Sequence, residues 1–270
     1  MPGKLLVIGG AESHDAGDDE ILERFVLLAG GADANLVVIA TASESPAERE
    51  KEYAEAFHRL GAERVTPLRL ESREDANGDL ATSALERATG VFFTGGDQLR
   101  ITTVLGGSKV DSALHARLAE GMVLAGTSAG AAMMSSTMIL GGSVATVSSA
   151  SVRTGPGMEF LPGVLIDMHF AERGRLNRLL SAIAMFPHEL GLGIDENTAI
   201  LVDGDVFEVL GRGTVTVIDA GQARDISCPS VDAGGPIALW GAQLHVLPAG
   251  HRFNLTERMP MRRAEEDHAH

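Results

Sequence analysis

The chain has 270 residues, 44% of them hydrophobic and 4% aromatic, with 32 glycines and a formal net charge of -15. This length and apolar content fit one large α/β domain with an aliphatic core, while the negative charge argues against nucleic acid or an anionic membrane as the main partner. The single cysteine, Cys228, excludes an internal disulfide and a secreted disulfide framework.

The first residues carry no visible targeting segment. Residues 1–4 lead directly into the apolar run Leu5–Ile8, which predicts a first strand instead of the apolar part of a signal peptide. No apolar run approaches the roughly 18 residues that span a bilayer. We therefore expect a cytoplasmic protein.

Strand-like apolar runs alternate with helix-like segments through the first two thirds of the chain. The predicted strands are Leu5–Gly9, Leu36–Ala40, Arg64–Leu70, Gly90–Thr94, Met122–Gly126 and Val164–Phe170. The clearest helix is Ser45–Leu60, where Ser45 and Glu48 form a capping box, Pro46 takes the first helical position and Gly61 ends the helix. This alternation predicts a three-layer, doubly wound α/β fold with a mainly parallel sheet.

The last third of the chain predicts antiparallel strands. Asp203-Gly204-Asp205 is a hairpin signal between two apolar runs, and two further glycine turns follow. The predicted strands are Ala199–Val202, Val206–Leu210, Thr214–Ile218, Ile237–Trp240 and Leu244–Leu247. We expect them to extend one edge of the sheet within a single domain over residues 1–260, followed by a charged, frayed tail over residues 261–270.

The segment Met122–Met134 is the most informative in the chain. It predicts a buried strand, then Gly126-x-Ser128-x-Gly130, then a helix that begins with small residues, which is the context of a nucleophile elbow. Such a turn lifts the serine hydroxyl clear of the sheet, and the helix N-terminus offers free N–H groups to an oxyanion. The alternative is a glycine-rich turn with a capping serine, and the strand–turn–helix context favours the elbow.

A second glycine turn, Gly95-Gly96, follows the predicted strand Gly90–Thr94. Ligands of open parallel sheets bind beyond the carboxyl ends of the strands, so we expect this turn to lie beside the elbow. The backbone N–H groups of Gly96 and Ala129 are then candidates for an oxyanion hole. The alternative is that Gly95-Gly96 is only a turn.

An activated serine needs a base, and His169 is the best candidate among nine histidines. It ends a predicted strand at a carboxyl edge, whereas the others that we weighed lie in a polar loop, on a charged helix or in the tail: His14, His58, His268 and His270. For the carboxylate that orients the histidine, Asp195 and Glu196 are both candidates, and a plain surface turn is the alternative.

Three arginines follow His169 at the start of a predicted helix: Arg173, Arg175 and Arg178. Cations at this end are unfavourable for the helix dipole. The cluster therefore indicates either anion binding or a solvated face paired with Glu172.

Five motifs together resemble the cyanophycinases, in the serine peptidase family that also includes dipeptidase E. They are Leu6-Val7-Ile8-Gly9-Gly10-Ala11-Glu12, Phe93-Thr94-Gly95-Gly96-Asp97-Gln98, Gly126-Thr127-Ser128-Ala129-Gly130-Ala131, Ile166-Asp167-Met168-His169-Phe170 with Arg173-Gly174-Arg175, and Gly193-Ile194-Asp195-Glu196. The resemblance runs from about residue 4 to about residue 250, with the motifs in the same order.

The resemblance implies a flavodoxin-like fold similar to class I glutamine amidotransferases, with serine at the elbow where those enzymes carry cysteine. It implies a homodimer and a triad of Ser128, His169 and Glu196 that needs no cofactor or metal. The implied reaction releases β-Asp-Arg dipeptides from cyanophycin, a poly-aspartate that carries arginine on each β-carboxyl. The residues implied to bind substrate are Gln98, Asp167, Arg173, Arg175 and Arg178.

Met168 departs from the family pattern, which has glutamine immediately before the histidine. A methionine forms no strong hydrogen bond. On the sequence alone, we expect Met168 to lie at the substrate rim, where it weakens cyanophycin cleavage without abolishing it, and we expect Met168→Gln to improve cleavage.

Two other functions fit parts of the pattern. A dipeptidase E-like enzyme would cut after an N-terminal aspartate, but its resemblance does not include the arginine cluster. A non-catalytic binding protein of the same fold would not need Ser128, His169 and Glu196 together. Labelling with a fluorophosphonate would separate these classes, because only an activated serine reacts.

Overall fold

Five parallel strands form one half of the central sheet. The computed structural model describes residues 2–15, 17–227 and 234–261. The parallel strands are β1 (Leu5–Ile8), β2 (Asn35–Ile39), β3 (Arg64–Pro67), β4 (Gly90–Phe93) and β5 (Val123–Thr127). They pair in the order β1-β5-β4-β2-β3. The predicted runs differ from these bounds by one residue at one or both ends. The exception is β3, which ends at Pro67, three residues before the predicted end, because the ring nitrogen of proline cannot donate to a neighbouring strand.

Helices connect these strands and cover both faces of the sheet. The α-helices of the described ranges are α1 (Glu20–Leu28), α2 (Pro46–Arg59), α3 (Arg73–Ala76), α4 (Asp79–Glu86), α5 (Gln98–Leu105), α6 (Lys109–Ala119), α7 (Ala129–Ala132) and α8 (Leu176–Met185). In β1, Leu6 and Ile8 pack in one core with side chains of α1 and α2. Leu5 and Val7 pack in the other core with side chains of α4, α5 and α6. Alternate side chains of the strand therefore point to opposite faces of the sheet and pack in two separate cores.

Helix α2 confirms the predicted start and end but not the predicted cap. It begins at Pro46 and is followed by Leu60 and by Gly61 with φ +95°. The Ser45 side chain makes no capping hydrogen bond, so the predicted capping box with Glu48 is wrong. The backbone of Ser45 has φ -123° and ψ 69°, and its N–H donates to the Ser43 hydroxyl instead.

Four antiparallel strands form the other half of the central sheet. They are β10 (Thr198–Asp203), β11 (Val206–Gly211), β16 (Arg252–Asn254) and β17 (Met259–Met261). Strand β10 pairs with β1, and the sheet continues through β11 and β16 to β17. The hairpin predicted at Gly204 is confirmed, since Asp203 pairs with Val206 across it.

A second sheet corrects two predictions. It contains β8 (Val164–Met168), β9 (Leu190–Ile194), β12 (Thr214–Asp219) and β15 (Gln243–Pro248), in the order β15-β12-β9-β8. The run Val164–Phe170 was expected in the central sheet, and Thr214–Ile218 and Leu244–Leu247 were expected at its edge. Both expectations are wrong, because an apolar period identifies a strand but not its pairing partner.

Two hairpins complete the described structure. They are β6 (Thr137–Gly142) with β7 (Val152–Pro156), and β13 (Asp225–Ser227) with β14 (Ala238–Trp240). The predicted strand Ile237–Trp240 therefore exists as β14, away from the edge of the central sheet.

Some predicted features lie outside the described residues. They are Cys228, His268, His270 and all of the predicted tail except residue 261, which belongs to β17. None of the helices in the described ranges combines the length and the apolar character that crossing a bilayer requires.

Candidate active site

The turn between β5 and α7 has the geometry of a nucleophile elbow. Ser128 has φ 51° and ψ -106°, a conformation that costs a non-glycine residue free energy and is typical of functional sites. A Cβ atom on Gly126 would lie 2.3 Å from the Gly130 carbonyl oxygen, and one on Gly130 would lie 2.5 Å from the Phe93 carbonyl oxygen. The strand and helix therefore approach closely only because both flanking positions are glycine.

Ser128, His169 and Glu196 form a continuous hydrogen-bonded line. The Ser128 Oγ is 2.9 Å from His169 Nε2, and His169 Nδ1 is 2.6 Å from Glu196 Oε1. Because a carboxylate only accepts, Nδ1 carries the proton in this arrangement and Nε2 is left to accept from the serine hydroxyl. The histidine side chain is 12% exposed and the glutamate side chain 33% exposed, so the line lies at the protein surface but is largely shielded from water.

Asp195 has a different role from its neighbour. Its carboxylate accepts the N–H of Ala171 at 3.0 Å, the N–H of Thr214 at 2.9 Å and the Thr214 hydroxyl at 2.8 Å. These bonds join the loop after β8 to the start of β12. Of the two candidates from the sequence, Glu196 is therefore the one that faces His169.

The end of β1 and the loop after it contact Ser128, His169 and the residue that follows Glu196 through their backbone. Consecutive carbonyl oxygens of residues 8, 9 and 10 accept the N–H groups of Ser128 at 3.0 Å, His169 at 2.9 Å and Asn197 at 2.9 Å. Like Ser128, His169 (φ 48°) and Asn197 (φ 46°) have left-handed backbones. Three residues with unfavourable backbone conformations thus surround residues 8–10, and the hydrogen bonds to those carbonyl oxygens stabilise them.

Gly96 and Ala129 lie where the sequence predicts an oxyanion hole. Gly96 has φ +144°, and a Cβ atom there would lie 2.0 Å from the Ala42 carbonyl oxygen, so this turn requires glycine. Ala129 begins α7, and the first N–H groups of a helix have no acceptor within it. In the described turns, loops and caps, neither N–H donates to a backbone carbonyl. Gly96 is exposed, whereas Ala129 has no exposed surface.

An acidic cavity of about 590 Å³ opens beside Ser128. Its walls include Ser128, His169, Gly95 and Gly96, together with four glutamates and one arginine. These charged residues are Glu12, Glu44, Glu48, Glu52 and Arg49. The arginine is engaged by Glu52 at 2.5 Å, and in the described part of the chain no cation lies within ion-pair distance of Glu44 or Glu48. The cavity is therefore suited to a cationic group.

Asp167 was predicted to contact substrate, but its side chain is buried and cannot do so. The Asp167 side chain has no exposed surface, and its carboxylate receives the Arg178 Nε at 2.9 Å and an Nη of the same guanidinium. Arg175 lies 3.4 Å from Asp167 and also donates to the carbonyl of Met168, the residue before His169. Burial lowers the pKa of Arg175 to about 10, although Asp167 opposes the shift. This cluster supports the turn that carries His169.

The other predicted substrate residues differ in their accessibility. Met168 is only 6% exposed and packs in the main core, so its expected position at the substrate rim is wrong. Strand β8 is buried along its whole length, and Met168 shares the core side with Val164 and Ile166. Gln98 is half-buried and donates from Nε2 to the Ile139 carbonyl at 2.7 Å. Arg173 is exposed.

A buried network beside the serine was not assigned a function from the sequence. Glu12 accepts the hydroxyl of Tyr53 and the hydroxyl of Thr127, each at 2.5 Å. The sequence places Glu12 in the motif that follows β1, and it places Tyr53 on the apolar face of α2. Their meeting beside Ser128 depends on tertiary contacts that no local pattern encodes.

Comparisons with known proteins identify the family of the chain. The model for peptidase family S51 matches residues 5–210. A cyanophycinase from Trichormus variabilis is 40% identical over 94% of this chain and 86% of its own length. A cyanophycinase from Geminocystis herdmanii is 39% identical over 97% of both chains. These matches confirm the resemblance indicated by the five motifs.

A solved structure supports the fold. The crystal structure of a peptidase from an acI-B1 actinobacterium superposes with a TM-score of 0.71, covering 94% of this chain and 97% of that one at 21% identity. It shows a shared mixed α/β architecture. With the family model covering most of the chain and the relatives aligned over nearly all of it, the chain belongs to peptidase family S51 and is a serine peptidase.

Proposed function

We propose that the protein is a cyanophycinase-type serine exopeptidase that releases β-Asp-Arg dipeptides from cyanophycin. The observation that carries this proposal is the line from Ser128 through His169 to Glu196, which opens on an acidic cavity. Relatives that are 40% identical and named cyanophycinase support the substrate. Each aspartate of cyanophycin carries an arginine and therefore one guanidinium group, and the carboxylates of the cavity can bind such a group.

In the proposed mechanism, Ser128 Oγ attacks the scissile carbonyl carbon while His169 Nε2 takes its proton. Glu196 keeps the imidazole in the required tautomer and stabilises the imidazolium. The N–H groups of Gly96 and Ala129 donate to the oxyanion of the tetrahedral intermediate. His169 then gives its proton to the leaving amine, and the carbon–nitrogen bond breaks to leave an acyl-enzyme. Water attacks this ester with His169 again as base, and Ser128 regains its proton on release of the acid.

For the remaining site residues, the proposal assigns two kinds of role. Arg173 is exposed and Gln98 is half-buried, so they are proposed to contact the polymer directly. Asp167, Arg175 and Arg178 are paired with one another, and they are proposed to support the His169 turn. Removing either direct contact should raise KM more than it lowers kcat.

Three broader features are part of the same proposal. The fold is proposed to be of the flavodoxin-like kind found in class I glutamine amidotransferases, as one domain over residues 1–260. The protein is proposed to act as a homodimer in the cytoplasm. Sedimentation velocity of the purified protein tests the dimer, and fractionation of the producing cell tests the location.

Incubation of the purified protein with insoluble cyanophycin tests the function. We expect soluble β-Asp-Arg, identified by mass spectrometry, and loss of release by several orders of magnitude in Ser128→Ala. A synthetic β-Asp-Arg oligomer and its citrulline counterpart, which is neutral and similar in shape, test the acidic cavity. Glu48→Gln should weaken cleavage of the arginine oligomer and leave the citrulline oligomer unchanged. Wild-type protein that releases nothing from cyanophycin or the oligomer would refute this assignment.

A further inference from the structure

Glu12 is a buried carboxylate that hydroxyl groups stabilise. The residue is 6% exposed. Tyr53 donates to one carboxylate oxygen and Thr127 to the other, each over 2.5 Å. Among the described residues, no lysine, arginine or histidine lies within ion-pair distance of Glu12. A carboxylate in this setting loses hydration without the compensation of a cation.

The effect of this carboxylate is visible on Tyr53. Burial, followed by the charge of Glu12 and its hydrogen bond, raises the pKa of Tyr53 well above the usual value. Tyr53 therefore remains a hydroxyl donor to Glu12 throughout the neutral and mildly alkaline range. The network has one donor for each oxygen and has a fixed direction, from the two hydroxyls to the carboxylate.

Glu12 is placed to control the geometry of the proposed nucleophile. Thr127 is the last residue of β5 and immediately precedes Ser128. Gly10, two residues before Glu12, lies against the imidazole of His169, since a Cβ atom there would be 2.3 Å from Cε1. One short loop thus contacts the histidine through Gly10 and the serine turn through Glu12.

The strained backbone of Ser128 makes such support necessary. At φ 51°, the turn can relax toward ordinary angles unless neighbouring contacts oppose it. The Ser128 N–H bond to the Ile8 carbonyl opposes this relaxation on the backbone. The bond from Thr127 to Glu12 opposes it through the adjacent side chain.

We propose that Glu12 is a positioning residue, which fixes the Ser128 turn through the hydroxyl of Thr127 and so keeps the serine aligned with His169. This inference rests on the proposed role of Ser128 as nucleophile. The carboxylate has no direct part in proton transfer. Its loss should misalign the reacting atoms, and small displacements of that kind reduce rates by up to about a hundredfold.

The test uses Thr127→Val, which removes the hydroxyl and keeps the shape, and Thr127→Ser, which restores it. The second-order rate of inactivation by a fluorophosphonate reports the alignment of Ser128 without any peptide substrate. We expect Thr127→Val to lower this rate by about tenfold to a hundredfold and Thr127→Ser to recover most of it. With a β-Asp-Arg oligomer as substrate, kcat should fall and KM should stay within about twofold.

Two matched variants separate positioning from general stability. Thr41→Val removes a hydroxyl that is also buried and donates to the Leu70 carbonyl at 2.8 Å, but it does not line the cavity. Glu50→Gln alters a carboxylate that is 5% exposed and paired with Arg69. Thermal unfolding gives the folded fraction of each variant. With the inactivation rate expressed per folded protein, both variants should match the wild type. Glu12→Gln should behave like Thr127→Val.

The outcomes distinguish this inference from the proposed function. Wild-type protein that does not react with the fluorophosphonate contradicts the role of Ser128 itself. Wild-type protein that reacts, together with folded Thr127→Val and Glu12→Gln variants that react at the same rate, overturns the positioning role alone. A Thr127→Ser variant as slow as Thr127→Val overturns it too, because the hydroxyl would then not be the group that matters. If Glu12→Gln does not fold, the Thr127 pair decides.

Discussion

Gly10 lies directly against the imidazole ring of His169: a Cβ atom at this glycine would be 2.3 Å from Cε1 and 2.6 Å from Nε2. Gly10 also has φ +104°, which glycine adopts without steric cost. The same residue accepts the N–H of Asn197, the neighbour of Glu196. The loop after β1 therefore sets the position of the histidine from two sides.

This contact predicts that Gly10→Ala abolishes most of the activity. The methyl group displaces the ring from Ser128, and we expect kcat to fall at least about a hundredfold. Gly61→Ala is the matched control, because Gly61 has φ +95° but a Cβ atom there meets nothing within 4 Å. That variant should lose about 1–2 kcal/mol of stability from backbone strain and keep its kcat. Equal kcat in both variants would contradict the contact.

Glu196 and Asp195 are predicted to fail in different ways when neutralised. Glu196→Gln keeps the shape but can present its amide N–H₂ to His169 Nδ1, which favours the wrong tautomer, so we expect kcat to fall roughly a thousandfold with little loss of stability. Asp195→Asn weakens three hydrogen bonds between the β8 loop and β12 and should cost about 1–3 kcal/mol of unfolding free energy. Steady-state kinetics and urea unfolding of both variants check the assignment, which would be reversed if Asp195→Asn lost kcat without losing stability.

Met168→Gln is now predicted to destabilise the protein instead of improving cleavage. Met168 is buried in the main core, so a glutamine there buries an amide that lacks partners, at a cost of about 1–3 kcal/mol. Met168→Leu conserves the apolar character and approximate volume and should cost less than about 1.5 kcal/mol. Thermal unfolding and kcat/KM on cyanophycin are the measurements. A gain in kcat/KM for Met168→Gln would mean that this side chain reaches substrate after all.

Glu189 predicts a pH dependence of stability that is separate from catalysis. Burial raises the pKa of its carboxyl group, and its Oε2 is buried without a hydrogen-bond partner. The folded protein therefore binds this proton more tightly than the unfolded chain does. As pH rises from the unfolded pKa of about 4.3 through the raised folded pKa, stability is lost.

Glu189→Gln removes this titration. We expect the Tm difference between this variant and the wild type to be about 2 °C larger at pH 7 than at pH 4, because the wild-type protein loses stability as this group loses its proton. Glu189 precedes β9 at the end of the strand away from Glu196, so kcat should not change. A variant with the same Tm as wild type at both pH values would contradict the predicted cost of this buried charge.

The sequence by itself identified the local features of this protein. Short apolar runs bounded by turns located the four buried parallel strands β1, β2, β4 and β5, and the start of the exposed edge strand β3. The Gly126-x-Ser128-x-Gly130 pattern identified the elbow, because the turn requires those residue types at fixed spacing. The histidine at the end of β8 was identified for the same reason, as a polar residue after an apolar run.

Only the tertiary structure decided relationships between distant segments. Strand β8 pairs with β9 in a second sheet, although its apolar pattern suits the central sheet equally well. Asp195 and Glu196 are adjacent and chemically alike, yet Asp195 bonds to Ala171 and Thr214, whereas Glu196 bonds to His169. The burial of Met168 and the bond from Thr127 to Glu12 likewise depend on which surfaces meet. Periodicity describes a single segment, whereas these contacts are fixed by packing between segments far apart in the chain.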